Sequence, residues 1–150
     1  MRTTLLCCLL LLPAAGLAQG RNAYKGIFQK GMKQYDKGNY AAALTSFQKA
    51  YSLQEKAITY RGEGTFTVQY LPRYRIALCH EKLKDLLQAE EWANLSKTAI
   101  EADVIKKKKK DLATYNTDIG RILKDAGAFR KVQTDRYQRK LDDARSLITR

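Results

Sequence analysis

Several residue types are scarce in this 150-residue chain, and each scarcity excludes something. Histidine occurs once, at His80, so any Ser-His-Asp or Cys-His arrangement must use it. Cys79 precedes it, but neighbours in sequence on a helix point away from each other. One histidine and, beyond the apolar run near the start of the chain, one cysteine cannot supply the three or four ligands of a zinc site. The carboxylate pairs Glu90-Glu91 and Asp142-Asp143 are also adjacent and diverge. "RGEGTF" lacks the lysine and helix start of a phosphate loop. No catalytic, cofactor-binding or metal-binding residue and no small-molecule substrate is therefore expected. Proline occurs only at Pro13 and Pro72, so almost nothing interrupts helices. Cysteine occurs at Cys7, Cys8 and Cys79.

Only one long apolar run exists, Leu5 to Leu12. It follows Arg2 and precedes the small residues of "PAAGLA", the three-part pattern of a secretory signal with cleavage after Ala18. Its length falls short of the ~20 residues a membrane span needs. Residues 1–18 are thus expected to be a signal peptide, and the location periplasmic or extracellular. The mature chain then keeps only Cys79 and can form no intrachain disulfide, so it must manage by packing alone. Cys7 and Cys8 lie inside the apolar run, too early to serve as a lipid-attachment site. Asn94-Leu95-Ser96 matches a glycosylation sequon but falls on a predicted helix.

Basic residues are abundant: 28 Lys and Arg against 15 Asp and Glu, net +13. The excess is uneven. Residues 19–105 carry 13 basic and 9 acidic side chains, and residues 106–150 carry 14 and 6, net +8. Such a field favours acidic partners or anionic surfaces. "KKKKK", Lys106 to Lys110, reads as a linker or a solvated helix turn.

Helical spacing dominates. A first helix is expected from about Arg21 to Lys37, ended by Gly38-Asn39. A second opens at Tyr40 and runs to about Gln54. Phe66, Val68 and Tyr70 then alternate with polar residues after Gly62 and Gly64, predicting a short extended segment or ordered loop. Pro72 suits the first turn of a third helix. Lys84-Asp85 marks a turn, and a fourth helix follows from Leu86 to about Ala102. A fifth is expected from Leu112 to Asp125, a break at Gly127, and a sixth from Phe129 to Thr149.

"DKGNYAAALTSFQKA" places methyl groups where a core usually holds leucine. A displacement of 46 residues explains this. Gly31 falls on Ala77, Tyr40 on Leu86, Ala43 on Ala89, Phe47 on Ala93 and Ala50 on Ser96. Small residues recur at the same crossing points, so the paired helices must approach closely; a bulky residue there would cost about 1–3 kcal/mol. An ordinary antiparallel bundle with chance alanines is the alternative.

Gly31, Tyr40, Ala43-x3-Phe47 and Ala50 resemble the tetratricopeptide repeat, a helix–turn–helix unit of about 34 residues. Ala77 to Ala99 resembles a second, weaker copy. Gly120, Gly127 and Phe129 sit where a third would begin, but Val132, Arg136 and Arg139 replace its packing residues. The resemblance implies an all-α fold: residues 19–105 form two repeats (24–57 and 70–103) separated by an inserted loop (58–69), stacked as a short right-handed solenoid. Residues 106–150 are then a basic helical hairpin capping the array. The resemblance also implies a concave groove lined by Lys25, Phe28, Met32 and Tyr35 in the first copy and Tyr74, Leu78, Glu81 and Lys82 in the second. Phe28, Tyr35 and Tyr74 fit a core stripe equally well. Relatives that grip a peptide's terminal carboxylate use Lys and Asn where this chain has Phe28 and Met32, so an apolar or aromatic-anchored peptide suits it better.

Three readings follow. The first is an exported non-catalytic scaffold for a protein or peptide. The second is a basic module docking on an envelope polyanion or nucleic acid, disfavoured by the lack of aromatics within the lysine run. The third, an enzyme centred on His80 and Cys79, lacks the convergent groups catalysis needs.

Overall fold

The computed structural model describes residues 15–62 and 66–148. The apolar run with Cys7 and Cys8 lies outside the described residues, as does Thr149. Among those described, the chain is mostly helical, with six helices and one two-stranded sheet. The order is α1 (Ala15–Asp36), α2 (Tyr40–Leu53), β1 (Ile58–Arg61), β2 (Thr67–Tyr70), α3 (Pro72–Lys82), α4 (Leu86–Thr98), α5 (Glu101–Ile105) and α6 (Lys109–Ile148). Each long helix packs on the next, α1 on α2, α2 on α3, α3 on α4, and α6 on both α4 and α3.

The two helix pairs turn in the same way. At the end of α1, Asn39 N donates to Gln34 O and Gly38 N to Tyr35 O, both at 2.9 Å. At the end of α3, Asp85 N donates to His80 O at 2.9 Å and Lys84 N to Glu81 O at 3.1 Å. These are the crossed bonds that close a helix on a left-handed residue. Gly38 (φ 77°) and Lys84 (φ 64°) hold that position. The following residues cap the next helices, Asn39 accepting from Ala42 N and Asp85 from Gln88 N. Both crossed bonds and the side-chain cap of the first turn recur 46 positions later.

The packing residues lie where the displacement places them. Gly31, Ala43, Phe47 and Ala50 are buried, as are Ala77, Ala89, Ala93 and Ser96. Tyr40 is half-buried, edge-on to Tyr35 at 5.1 Å. Gly31 keeps the first crossing close: a Cβ there would lie 2.7 Å from Phe47 Cε1 and 2.8 Å from Cδ1. Phe47 thus packs inside its own pair, against Gly31 and Phe28, in a cluster that also takes in Ile76 and Cys79 of α3. In the second pair Ala77 and Ala93 occupy the equivalent positions, in one buried cluster. Glycine against phenylalanine gives way to alanine against alanine.

Three expectations need correction. The segment 58–69 is an antiparallel hairpin, with Ile58 opposite Tyr70 and Tyr60 opposite Val68. Its inner face (Ile58, Tyr60, Val68, Tyr70) joins the core of the first pair. The fourth helix stops at Thr98, short of Ala102. Ile100 adopts φ 56°, and the chain turns into α5. The expected fifth and sixth helices are one helix with no break at Gly127. The cause is a missing cap: Ala128 stands where the two real turns carry Asn39 and Asp85. Without a side chain to satisfy the first N–H groups, the strong helix formers around Gly127 continue the helix. The lysine run spans the solvated turn before α6 and the first two residues of α6, with Lys106 paired to Asp103 and Lys108 to Asp111.

Ile100's strain has a counterpart in Glu101. The N-cap of α3 is Leu71, which has no capping side chain. Glu101 supplies the cap from α5: Arg73 N donates to Oε1 at 3.1 Å and Tyr74 N to Oε2 at 3.0 Å. Ser96 Oγ adds a third bond at 2.9 Å, and Arg73 Nη1 lies 3.7 Å away. Burial raises the Glu101 pKa, and these four donors pull it back. Ser96 also bonds Tyr115 at 2.8 Å, so the hydroxyl of the sequon is a core group.

Candidate functional site

The hairpin lies across α1 and builds a cleft on it. Tyr60 meets Tyr24 edge-on at 6.1 Å, and Tyr70 meets Tyr24 at 5.0 Å and Phe28 at 4.7 Å. Tyr70 donates to Gln54 O at 2.6 Å, tying the hairpin's base to the end of α2. Lys25 holds its ammonium 5.2 Å from the buried Tyr60 ring centre, a cation–π contact worth about 0.5–2 kcal/mol. Burial pushes the Tyr60 hydroxyl up to about 12, so it stays neutral at physiological pH.

Beside these rings a cavity of about 330 Å³ opens, lined by Gln29, Met32, Lys33 and Asp36 of α1 and by Gly62, Phe66 and Val68 of the hairpin. Its lining is apolar at Met32, Phe66 and Val68 and polar at Gln29, Lys33 and Asp36. Phe66 is 76% exposed, the most exposed aromatic ring among the described residues. Gly62 is fixed by crowding, since a Cβ would lie 2.9 Å from Val68 Cγ2. The arrangement can take an apolar side chain between Met32 and Phe66. Polar groups of its carrier would meet Gln29, Lys33 and Asp36.

The groove residues expected from sequence separate into two groups. Phe28 (1% exposed), Tyr74 (6%) and Leu78 (3%) are core side chains, which corrects their assignment to an open groove. The hairpin covers Phe28 with Tyr70, and α6 covers Tyr74, whose hydroxyl donates to Asp118 at 2.6 Å and whose ring faces Tyr115. Tyr35 is half-buried between the two core clusters. Glu81 is buried in an ion pair with Arg121 at 2.7 Å. Met32 and Lys25 border open clefts, and Lys82 is exposed.

Sequence reasoning missed Gln29, Lys33, Asp36, Phe66 and Val68. The alternation of Phe66, Val68 and Tyr70 carried the signal, since it placed Phe66 on the side of the buried Tyr70. His80 is buried with Nδ1 3.3 Å from Asp85 Oδ2, and its Nε2 has no partner among the described residues. Cys79 is fully buried, and burial pushes its thiol up to about 12. No group of three His, Cys, Asp or Glu able to hold a metal occurs among the described residues. None of the described helices is long and apolar enough to cross a membrane. No family model, no curated protein and no solved structure matches the chain.

Proposed function

We propose that this chain is an exported, non-catalytic scaffold of two tetratricopeptide-like helix pairs, stacked as a short right-handed solenoid, that binds a protein or peptide through an apolar side chain. Two turns with the same crossed bonds at the 46-residue displacement, with small residues buried at equivalent crossings, support the repeat reading. The signal pattern of residues 1–18 supports export. The observation that carries the binding reading is the cleft between α1 and the hairpin, where Phe66 stands exposed beside Met32 and Val68. An exposed ring rimmed by polar groups is the composition of a binding anchor.

The experiment compares partner recovery from the exported fraction using wild-type chain, Phe66→Ala and Phe66→Ala with Met32→Ala. Phe66 is exposed and Met32 half-buried, so the fold should survive, as circular dichroism will check. The proposal expects a discrete partner that is lost in both variants. Recovery unchanged in the double variant would remove the cleft from the account.

A second reading keeps the basic module docking on an envelope polyanion or nucleic acid. The exposed cations of α6 favour it. Counterion release then requires affinity to fall steeply with salt, whereas binding at the Phe66 cleft depends little on salt.

A further inference from the structure

The cleft beside Phe66 has a second compartment. It measures about 310 Å³ and lies between Asn22, Lys25 and Gln29 of α1 and Tyr60, Arg61 and Gly62 of the hairpin. Gln29 and Gly62 line both compartments, so the two adjoin there. A side chain at position 62 would crowd the junction, since a Cβ would stand 3.3 Å from Gln29 Nε2. On α1, Asn22, Lys25, Gln29, Met32 and Asp36 follow one another at steps of three or four residues. They share one face of the helix, and both compartments open along it.

The two compartments differ in chemistry. The first is apolar at Met32, Phe66 and Val68, and its two charges, Lys33 and Asp36, are of opposite sign. The second is cationic. Lys25 and Arg61 line it, and no carboxylate among the described residues does. Neither cation enters an ion pair among the described residues. Lys25 meets the rings of Tyr60 and Tyr24 at 5.2 and 6.0 Å, contacts that leave its charge without a counter-ion. Tyr60, kept neutral by burial, adds no negative charge.

We propose that the cleft takes an extended segment of a partner protein with an apolar side chain and, two to four residues from it, an aspartate or glutamate whose carboxylate is held by Lys25 and Arg61. This rests on the reading of the Phe66 cleft as a binding site and adds its second contact. Lys25 precedes Met32 by seven residues, about 10 Å along the helix axis. An extended chain covers that distance in about three residues. The Arg61 guanidinium offers a carboxylate two parallel N–H donors. A nucleic acid or other polyanion fits less well, because its repeated charges would meet the apolar compartment and Asp36. A single carboxylate also carries no condensed counterion atmosphere, so the salt dependence stays shallow.

The test uses the full chain and fluorescein-labelled twelve-residue peptides of serine and threonine. Each carries one phenylalanine and one glutamate, placed three residues before or after it, and each has a glutamine counterpart. Anisotropy should show the better glutamate peptide binding about fivefold or more tighter than its glutamine counterpart. Arg61→Gln should reduce that advantage, and Arg61→Gln with Lys25→Gln should bring it below about twofold. Arg61 is exposed, so folding is not at stake in the single variant, and circular dichroism checks the double one. Phe66→Ala should weaken glutamate and glutamine peptides alike by about threefold or more. Equal affinity for the two, or an advantage that survives the double variant, overturns the proposal; the apolar compartment stands if Phe66→Ala still weakens both. Indifference of every peptide to Phe66→Ala removes the binding site itself, and the proposal with it. Failure of both glutamate peptides to bind at about 1 mM also overturns it. So does inorganic polyphosphate bound more tightly than either glutamate peptide and dependent on Lys25 and Arg61, which gives the cations to a polyanion.

Discussion

Replacing Gly31 with alanine sets two known effects against each other. The new methyl would lie 2.7 and 2.8 Å from two carbons of Phe47, where carbon contacts prefer about 3.5–4.0 Å. Phe47 is fully buried and backed by Phe28 at 5.2 Å between ring centres, so it cannot swing aside. Overpacking of this kind costs about 1–3 kcal/mol. Alanine regains about 1 kcal/mol of helix propensity. The expected result is a net loss of about 1 kcal/mol, read as a lower urea midpoint with unchanged slope by far-ultraviolet circular dichroism. In a Phe47→Leu background the obstructing ring is gone, and the same Gly31→Ala change should stabilise by up to about 1 kcal/mol. Gly26→Ala is the control, since nothing lies within 4 Å of its Cβ position; it should stabilise in both backgrounds. Stabilisation by Gly31→Ala in the wild-type chain, equal to that of Gly26→Ala, would refute the close approach of α1 and α2.

Four further outcomes follow from the same geometry. Gly127→Ala should stabilise by about 0.5–1 kcal/mol and raise helicity, because the site is helical and open; a loss would restore the turn that the sequence suggested there. Lys84→Gly should stabilise by about 1 kcal/mol in urea melts, since its left-handed backbone penalises any side chain. Glu101→Gln keeps the shape but removes the charge and puts an amide among N–H donors, so a loss of about 1–3 kcal/mol is expected by the same assay. Cys79, raised to about 12 in the folded chain, ionises nearer its ordinary value when unfolded. Its contribution to stability is therefore present below about pH 9 and lost as pH climbs toward 12. Alkaline denaturation should show this loss, reduced in Cys79→Ala, and native thiol titration at pH 8 should find Cys79 unreactive.

How far the fold could be read from the sequence depended on whether the signal was local. Both turns were legible, since Gly38-Asn39 and Lys84-Asp85 combine a helix stop with a cap. The small crossing residues were legible through their recurrence. Gly127 misled because glycine alone does not turn a helix when the next residue, Ala128, cannot cap. The groove was misplaced because Phe28, Tyr74 and Leu78 are covered by elements distant in sequence: Tyr70 of the hairpin and Tyr115 of α6. Glu101 capping α3 from 27 and 28 residues away has no local signature at all. Phe66 was visible in the period-two stretch, but its role needed the position of the hairpin on α1.

The proposal that the Phe66 cleft binds a partner is most directly tested by placing a photo-cross-linking residue at position 66 and, as a comparison, at exposed Thr45 on α2. The account predicts one discrete light-dependent adduct from position 66 in the exported fraction and none from position 45. Adducts of equal yield from both positions, or none from position 66, would contradict it.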